Sequence, residues 1–454
     1  MAHTGLHYSP RNKILATSLL IEAFLYEEQT RRGVSLRHFD EFSDVADHCT
    51  VCHKCANPCP VDIDFGDVSI AMRNVLTKDG HRKFNPGTAA AMFFLNATDP
   101  ATIKFVKKVM IDWGYAAQRM LHRIGMKTGA VKDQTARPPA TVGKPSLKAQ
   151  VIHFINKPMP GGLPKRTSRA LLDIEDDAIV PIIRDPARES DESEAVFYFP
   201  GCGSERLFSQ VGLATQAMLW HVGAQTVLPP GYLCCGYPQT AAGDHDKGQK
   251  ITTANRVLFH RVANTLNYLD IKTVIVSCGT CMDQLSKYEF DKIFPGCRLL
   301  DIHEYLMEKG VKLEGAAGVK YMYHDPCHTP MKTYAPLAVV NELMGSSVVL
   351  NDRCCGESGT LAVSRPDIST QVRFRKEEQM AKGAAALRAD GFDGSIKVLT
   401  SCPSCLQGLS RFDDDAGTEA DYIVVEIAAK LLGKDWMADY VAKANAGGIE
   451  RVLV

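Results

Sequence analysis

From residue 195 onward, short β-rich apolar runs alternate with longer stretches whose apolar positions recur every three or four residues. The first round reads AVFYF, a helical stretch from Leu207 to His221, AQTVL, a long helical stretch from Lys247 to Leu266, KTVIV, and a helix near Asp283. The second reads VKYMYH, a helix near Val339, SVVL, a long helix from Ile368 to Arg388, IKVLT, and a helix near Leu406. Strand and helix in strict alternation predict parallel sheets with helices on both faces. Before residue 127 the pattern is helical only, with helices expected over Arg11 to Arg31, Phe65 to Leu76 and Ala101 to Ile124. The expected fold class is α/β: a helical module at 1–126, a charged linker at 127–194, and two duplicated parallel-sheet domains at 195–318 and 319–454.

The linker expectation rests on charge. Lys127 to Arg169 holds nine basic residues against one acidic, with six prolines, whereas Asp173 to Glu194 holds nine acidic against two basic. A solvated connection between domains is the simpler reading of such a stretch than a partner-docking segment. Over the whole chain 52 Lys plus Arg balance 52 Asp plus Glu, so no global basic surface exists to hold a phosphate backbone, and nucleic acid is not an expected partner. The most apolar stretch, Thr17 to Tyr26, is short and carries Glu22, so no transmembrane segment is expected. The opening MAHTGLHYSPRNK lacks an export signal, and a cytoplasmic protein, peripheral at most on the inner membrane face, is expected.

In a reducing compartment fifteen cysteines point to metal or redox chemistry rather than disulfides. Cys49, Cys52, Cys55 and Cys59 precede Pro60 in a C-x2-C-x2-C-x3-C-P run, the spacing of a bacterial ferredoxin motif for a 4Fe-4S cluster. In two-cluster ferredoxins the fourth cysteine serves the other cluster, and no second run of this type occurs here. Two further groups follow: Cys202, Cys234, Cys235, Cys278 and Cys281, then Cys327, Cys354, Cys355, Cys402 and Cys405. Corresponding cysteines are offset by 125, 120, 124 and 124 positions, and the flanks match as well: FYFPGC with YHDPC, CCGYPQT with CCGESGT, VIVSCGTC with VLTSCPSC. An internal duplication accounts for this. Each group falls just beyond the carboxyl ends of expected strands, where open α/β sheets bind ligands, so thiols distant in sequence should converge.

Two C…CCG…CxxC repeats behind a ferredoxin-type motif resemble the cysteine-rich CCG family of iron-sulfur oxidoreductases. That family includes a subunit of heterodisulfide reductase and the iron-sulfur subunits of glycolate oxidase and lactate-utilisation systems. The resemblance covers about His48 to Leu406. It implies a non-cubane 4Fe-4S cluster at each repeat, held by the five cysteines of that repeat, with zinc at one repeat as the alternative. Iron is favoured, because zinc closes at four ligands and a fifth thiolate would be redundant. Helical ferredoxin modules of the family usually carry two cysteine runs, and this chain has one.

No GxGxxG follows a strand, so a flavin or nicotinamide must come from another protein. The expected function is an iron-sulfur electron-transfer subunit. It would accept electrons from a flavoprotein dehydrogenase acting on a 2-hydroxy acid, glycolate or D-lactate in type, and pass them to a quinone or another acceptor. The alternatives are a catalytic subunit cleaving a disulfide at a CCG cluster, and a structural zinc protein. His324 and His328 bracket Cys327 and are expected around the metal rather than on it. Glu357 and Ser358 stand where the first repeat has Tyr237 and Pro238, so the two sites should differ in chemistry, and Cys297 reads as a small buried residue.

Overall fold

The computed structural model describes residues 9–30, 33, 35–132, 145–188, 193–315, 317–351, 353–357 and 360–454, and Ser358 lies outside them. The helical module packs helices Pro10–Gln29, Leu36–Asp47 and Phe65–Lys78 around Leu20, Phe42, Ala46, Phe65, Met72 and Leu76. Its two later helices start at side-chain caps: Ser35 accepts from Arg37 N, and Asp64 accepts from Gly66 N at 2.6 Å. Between them runs the cysteine loop, in which the non-glycine residues Val51, His53 and Asp62 all adopt positive φ near 50°. Such backbone persists only where its surroundings over-determine it. The expected helix over Ala101 to Ile124 is continuous from Pro100 to Thr128, widened by one looser turn at Lys107–Trp113.

The first sheet has six strands. Four adjacent strands are parallel, as expected: β2 (Ala195–Phe199), β3 (Gln225–Val227), β4 (Thr273–Val276) and β5 (Arg298–Asp301). On the β3 edge lie β1 (Ile179–Ile183) and β10 (Ile449–Leu453), both antiparallel, giving the order β10-β1-β3-β2-β4-β5. The second sheet is wholly parallel: β6 (Val319–His324), β7 (Val349–Leu350), β8 (Ser395–Thr400) and β9 (Glu419–Tyr422), in the order β7-β6-β8-β9.

Two expectations about organisation are corrected here. The stretch 127–194 is more than a charged linker, because it supplies helices Leu147–Ile155 and Ser168–Leu172 and the strand β1. IVPII in β1 is apolar enough to be buried in a sheet, and local charge counting hid it. The 319–454 unit is also not self-contained, since β10 leaves it to pair with β1 through five residue pairs from Ile179–Leu453 to Ile183–Ile449. The two sheets share their cores: Tyr198 and Ile275 pack in one cluster with Tyr323 and Leu399, and Val276 in another with Met322 and Val398. Among the described residues no helix is long and apolar enough to cross a membrane.

Candidate metal centres

The ferredoxin-type loop brings three of its four thiols together. Cys49, Cys52 and Cys55 line a cleft of roughly 60 Å³ with Lys13, His48, His53, Phe65 and, from the second repeat, Cys354. Backbone amides already point at the sulfurs: Val51 N donates to Cys49 Sγ and Phe65 N to Cys55 Sγ, each at 3.3 Å. Burial pushes the Cys52 thiol up, and the neighbouring Cys354 adds to this, so the thiolate form needs a cation beside it. Lys13 faces Cys49, Cys52 and Cys55, and its Nζ donates to His48 O at 2.7 Å. Cys59 is not among the residues lining the cleft, and its Sγ accepts from Ile63 N at 3.3 Å.

In the first repeat Cys202 follows β2, Cys234 and Cys235 follow β3, and Cys278 and Cys281 follow β4, so the carboxyl edge of the sheet gathers all five. Contact runs from Cys202 to Cys234, Cys235, Cys281 and Cys278 in turn. Gly201, at φ +67°, makes this possible, since a Cβ there would lie 2.7 Å from Cys281 Sγ. Asn255 Nδ2 donates to Cys234 O at 2.8 Å and Tyr288 Oη to Cys235 O at 2.9 Å, which anchors the Cys-Cys turn. The second repeat repeats the chain of contacts from Cys327 to Cys354, Cys355, Cys405 and Cys402, with Cys355 and Cys405 sulfurs 3.6 Å apart.

The two sets also meet. Cys278 and Cys402, each at the start of a short helix, are hydrogen-bond neighbours, so ten thiols form one unbroken line across both repeats. The backbones interlock there in matching fashion: a Cβ at Gly203 would lie 3.0 Å from Pro403 Cβ, and one at Gly279 only 1.5 Å from His328 O. All fifteen cysteines are free. Mutual contact splits the thiols: hydrogen bonds from Cys234 and Cys281 draw Cys235 down to about 6, while a bond to Cys234 and burial push Cys202 well up. So many buried thiols cannot ionise together without compensating positive charge, and five soft donors per set suit iron bound with thiolate better than a four-coordinate ion.

Around the thiols the repeats diverge. Tyr237 follows the first Cys-Cys-Gly, and its Oη lies 3.1 Å from His328 Nε2. Glu357 follows the second and is clamped in the interior by Arg411 at 2.6 Å, with Arg373 3.9 Å away. His328 joins three parts of the molecule: Nε2 donates to Val51 O of the ferredoxin-type loop at 2.9 Å, and Nδ1 pairs with Asp283 of the first repeat. His324 is fully buried, and its Nδ1 lies 3.1 Å from both Lys376 Nζ and Asn351 O. Burial, reinforced by Lys376, holds His324 well below the usual imidazole range, so it is neutral. Cys297 is half-buried against the first-repeat core, and burial pushes its thiol up to about 11.

Sequence reasoning picked out the thiols and both histidines but missed Lys13, Lys376 and the Glu357–Arg411 pair. The repeat offsets gave no signal for Lys376, since they set Arg375 or Gln379 opposite Asn255. Only the packing of the long helix, in which Ser369 and Arg373 face Gly356 as Gly248 and Thr252 face Gly236, brings Lys376 to the place of Asn255.

Comparison with known proteins agrees with this geometry. The cysteine-rich domain CCG matches twice, over residues 196–286 and 321–410, and a domain of unknown function, DUF3400, matches 410–454. An uncharacterized iron-sulfur protein of Methanococcus maripaludis is 24% identical over 59% of this chain and 51% of its own length. Lactate utilization protein A of an Exiguobacterium species is 24% identical over 42% of this chain and 82% of its own. The probable glycolate oxidase iron-sulfur subunit of Bacillus subtilis is 24% identical over 52% and 54%. No solved structure matches. The chain spans about half the length of the first of these relatives. With its two CCG matches the chain is thus similar to iron-sulfur subunits of oxidoreductases.

Proposed function

We propose that this chain is the electron-transfer subunit of an oxidoreductase, with one ferredoxin-type iron-sulfur site and one iron-sulfur site in each repeat. The observation that carries the reading is the continuity of the thiols: Cys52 borders Cys354, and the second repeat reaches the first through Cys402 and Cys278. Bound 4Fe-4S clusters would supply one-electron storage and transfer. Cys49, Cys52 and Cys55 would hold the first site, with Cys59 as the fourth ligand, and the two five-cysteine sets the others. The protein's part is to deliver thiolates, exclude water and aim backbone amides at sulfur, as Val51 N and Phe65 N do.

The donor we propose is a flavoprotein dehydrogenase for a small 2-hydroxy acid, by analogy with relatives named for lactate utilization and glycolate oxidation. A quinone or another carrier would take the electrons on. No GxGxxG follows a strand, so the flavin or nicotinamide for hydride removal would come from the partner, and the chain alone should not oxidise glycolate or D-lactate. The test is anaerobic purification with iron and zinc analysis, then mixing with the reduced flavoprotein. Bleaching of iron-sulfur absorption on mixing supports the reading, and Cys52→Ser should remove about one cluster's worth of iron. Stoichiometric zinc without visible absorption, or substrate turnover by the chain alone, would overturn it.

A further inference from the structure

The two repeats bring the same five thiols together, yet they differ in the side chain that faces those thiols from the first strand. The residue that ends β2 is Phe199, buried and apolar, whereas the residue that ends β6 at the matching position is His324. A ring nitrogen of His324 lies within 4.8 Å of the sulfurs of Cys355 and Cys405. Its Nδ1 side is taken by Lys376 and Asn351, while Nε2 is buried with no hydrogen-bond partner among the described residues. A buried polar atom left without a partner costs free energy comparable to a lost hydrogen bond, so its persistence calls for a group not in the structure.

Lys376 favours one nitrogen of the ring for the proton. Its ammonium donates to Asn351 O at 2.7 Å, to Asn351 Oδ1, and to His324 Nδ1 at 3.1 Å. Asn351 O, at the same 3.1 Å from Nδ1, would accept from an N–H there, but it already accepts from the ammonium, and the charge-assisted bond from Lys376 to a lone pair on Nδ1 is the stronger of the two. The single ring proton of the neutral imidazole therefore sits on Nε2, the free nitrogen. The first repeat has no such arrangement: Asn255, opposite Lys376, turns to Cys234 O and Tyr288 Oη instead.

We infer that His324, held in one tautomer by Lys376, donates a hydrogen bond from Nε2 to the sulfur of the second-repeat centre and so raises its reduction potential above that set by the thiols alone. A donor aimed at sulfur stabilises the more negative, reduced state, and hydrogen bonds to sulfur are among the determinants of cluster potential. With its proton on Nε2 the ring is a positioning and tuning residue rather than a ligand. The inference rests on the reading that the second repeat holds an iron-sulfur centre.

The experiment is an EPR-monitored redox titration of the whole iron-loaded chain and of its His324→Phe, His324→Gln and Lys376→Met variants, each with iron content measured. His324→Phe, which installs the first-repeat residue, should shift one signal to lower potential, leave the others in place and keep full iron. His324→Gln, which retains an N–H donor, should restore part of the shift, and Lys376→Met should move the same signal. Full iron with an unchanged titration in both His324→Phe and Lys376→Met overturns the inference. Loss of one centre's iron in His324→Phe but not in Lys376→Met overturns it in favour of direct ligation by His324. Absence of iron from the unaltered protein instead defeats the underlying reading of the site.

Discussion

The first and second repeats have the same strand order around their thiols and the same Cys-Cys-Gly turn, but they support that turn by different means. In the first, neutral donors do it: Asn255 and Tyr288 hold the two carbonyls, and Tyr237 leans on His328. In the second, buried charge does it: Glu357 sits between Arg411 and Arg373, and Lys376 fills the place of Asn255. A duplication keeps what the ligand set demands and frees the surroundings to diverge. Neutral packing tolerates loss of a single group cheaply, whereas an internal ion pair, once half-removed, leaves an uncompensated charge.

The sharpest way to break the comparison is therefore to remove one member of each support. Glu357→Ala strands two guanidinium groups in the interior and should cost about 3–5 kcal/mol, while Tyr237→Phe in the first repeat should cost only about 1 kcal/mol. Urea unfolding of the two variants measures both. Equal losses would mean that the supports are energetically alike.

A smaller but more local contrast lies at the seam. Gly279→Ala drives a methyl into the carbonyl of His328, and Gly203→Ala, on the same side of the seam, only presses Pro403. The first should destabilise by about 3 kcal/mol and open the seam to limited proteolysis, and the second by about 1 kcal/mol or less. Similar proteolysis of the two variants would show that the repeats do not grip each other at Gly279.

The smallest difference is in pH dependence. Burial raises Asp413 of the second repeat to about 7, whereas Glu289, which occupies the equivalent turn of the first, is exposed and held low by Lys292. Because the folded protein keeps the Asp413 proton when the unfolded chain has lost it, stability should fall as pH rises from about 4 to about 7 and then level off. Asp413→Asn should remove that fall and gain about 1 kcal/mol at pH 8, with no gain below about pH 4. Glu289→Gln should give no such gain at pH 8. Thermal unfolding between pH 4 and 8 reads both.

Much of this was legible in the amino-acid sequence because it depends on local patterns. VIV and VLT before C-x2-C place the cysteines at strand ends, and the repeat offsets carry the same architecture from one half to the other. The gathering of each five-thiol set followed from strand order. The junction between Cys278 and Cys402 did not, because it depends on how two sheets pack; its trace, a glycine next to a cysteine in both Gly203 and Gly279, has meaning only once Pro403 and His328 are known to face them. Strand β1 was hidden by the charges around IVPII, and its partner β10 lies some 270 positions away, beyond any periodicity window. The run from Cys49 to Cys59 was read as one motif, yet three of its thiols share the cleft with Cys354 and the fourth stands outside its lining.

The pairing of β10 with β1 also sets an order of events during synthesis. While the ribosome is still making residues 184–448, β1 can dock beside β3 but its other edge has no strand to cover it. All fifteen cysteines emerge before that edge is closed. An open edge recruits foreign strands, so the nascent chain passes through an interval in which every thiol is already present and the first sheet is still prone to foreign pairing. The arrival of the five-residue strand β10 then competes with aggregation, and a chain cut short before residue 449 should be lost as insoluble protein rather than as inactive protein.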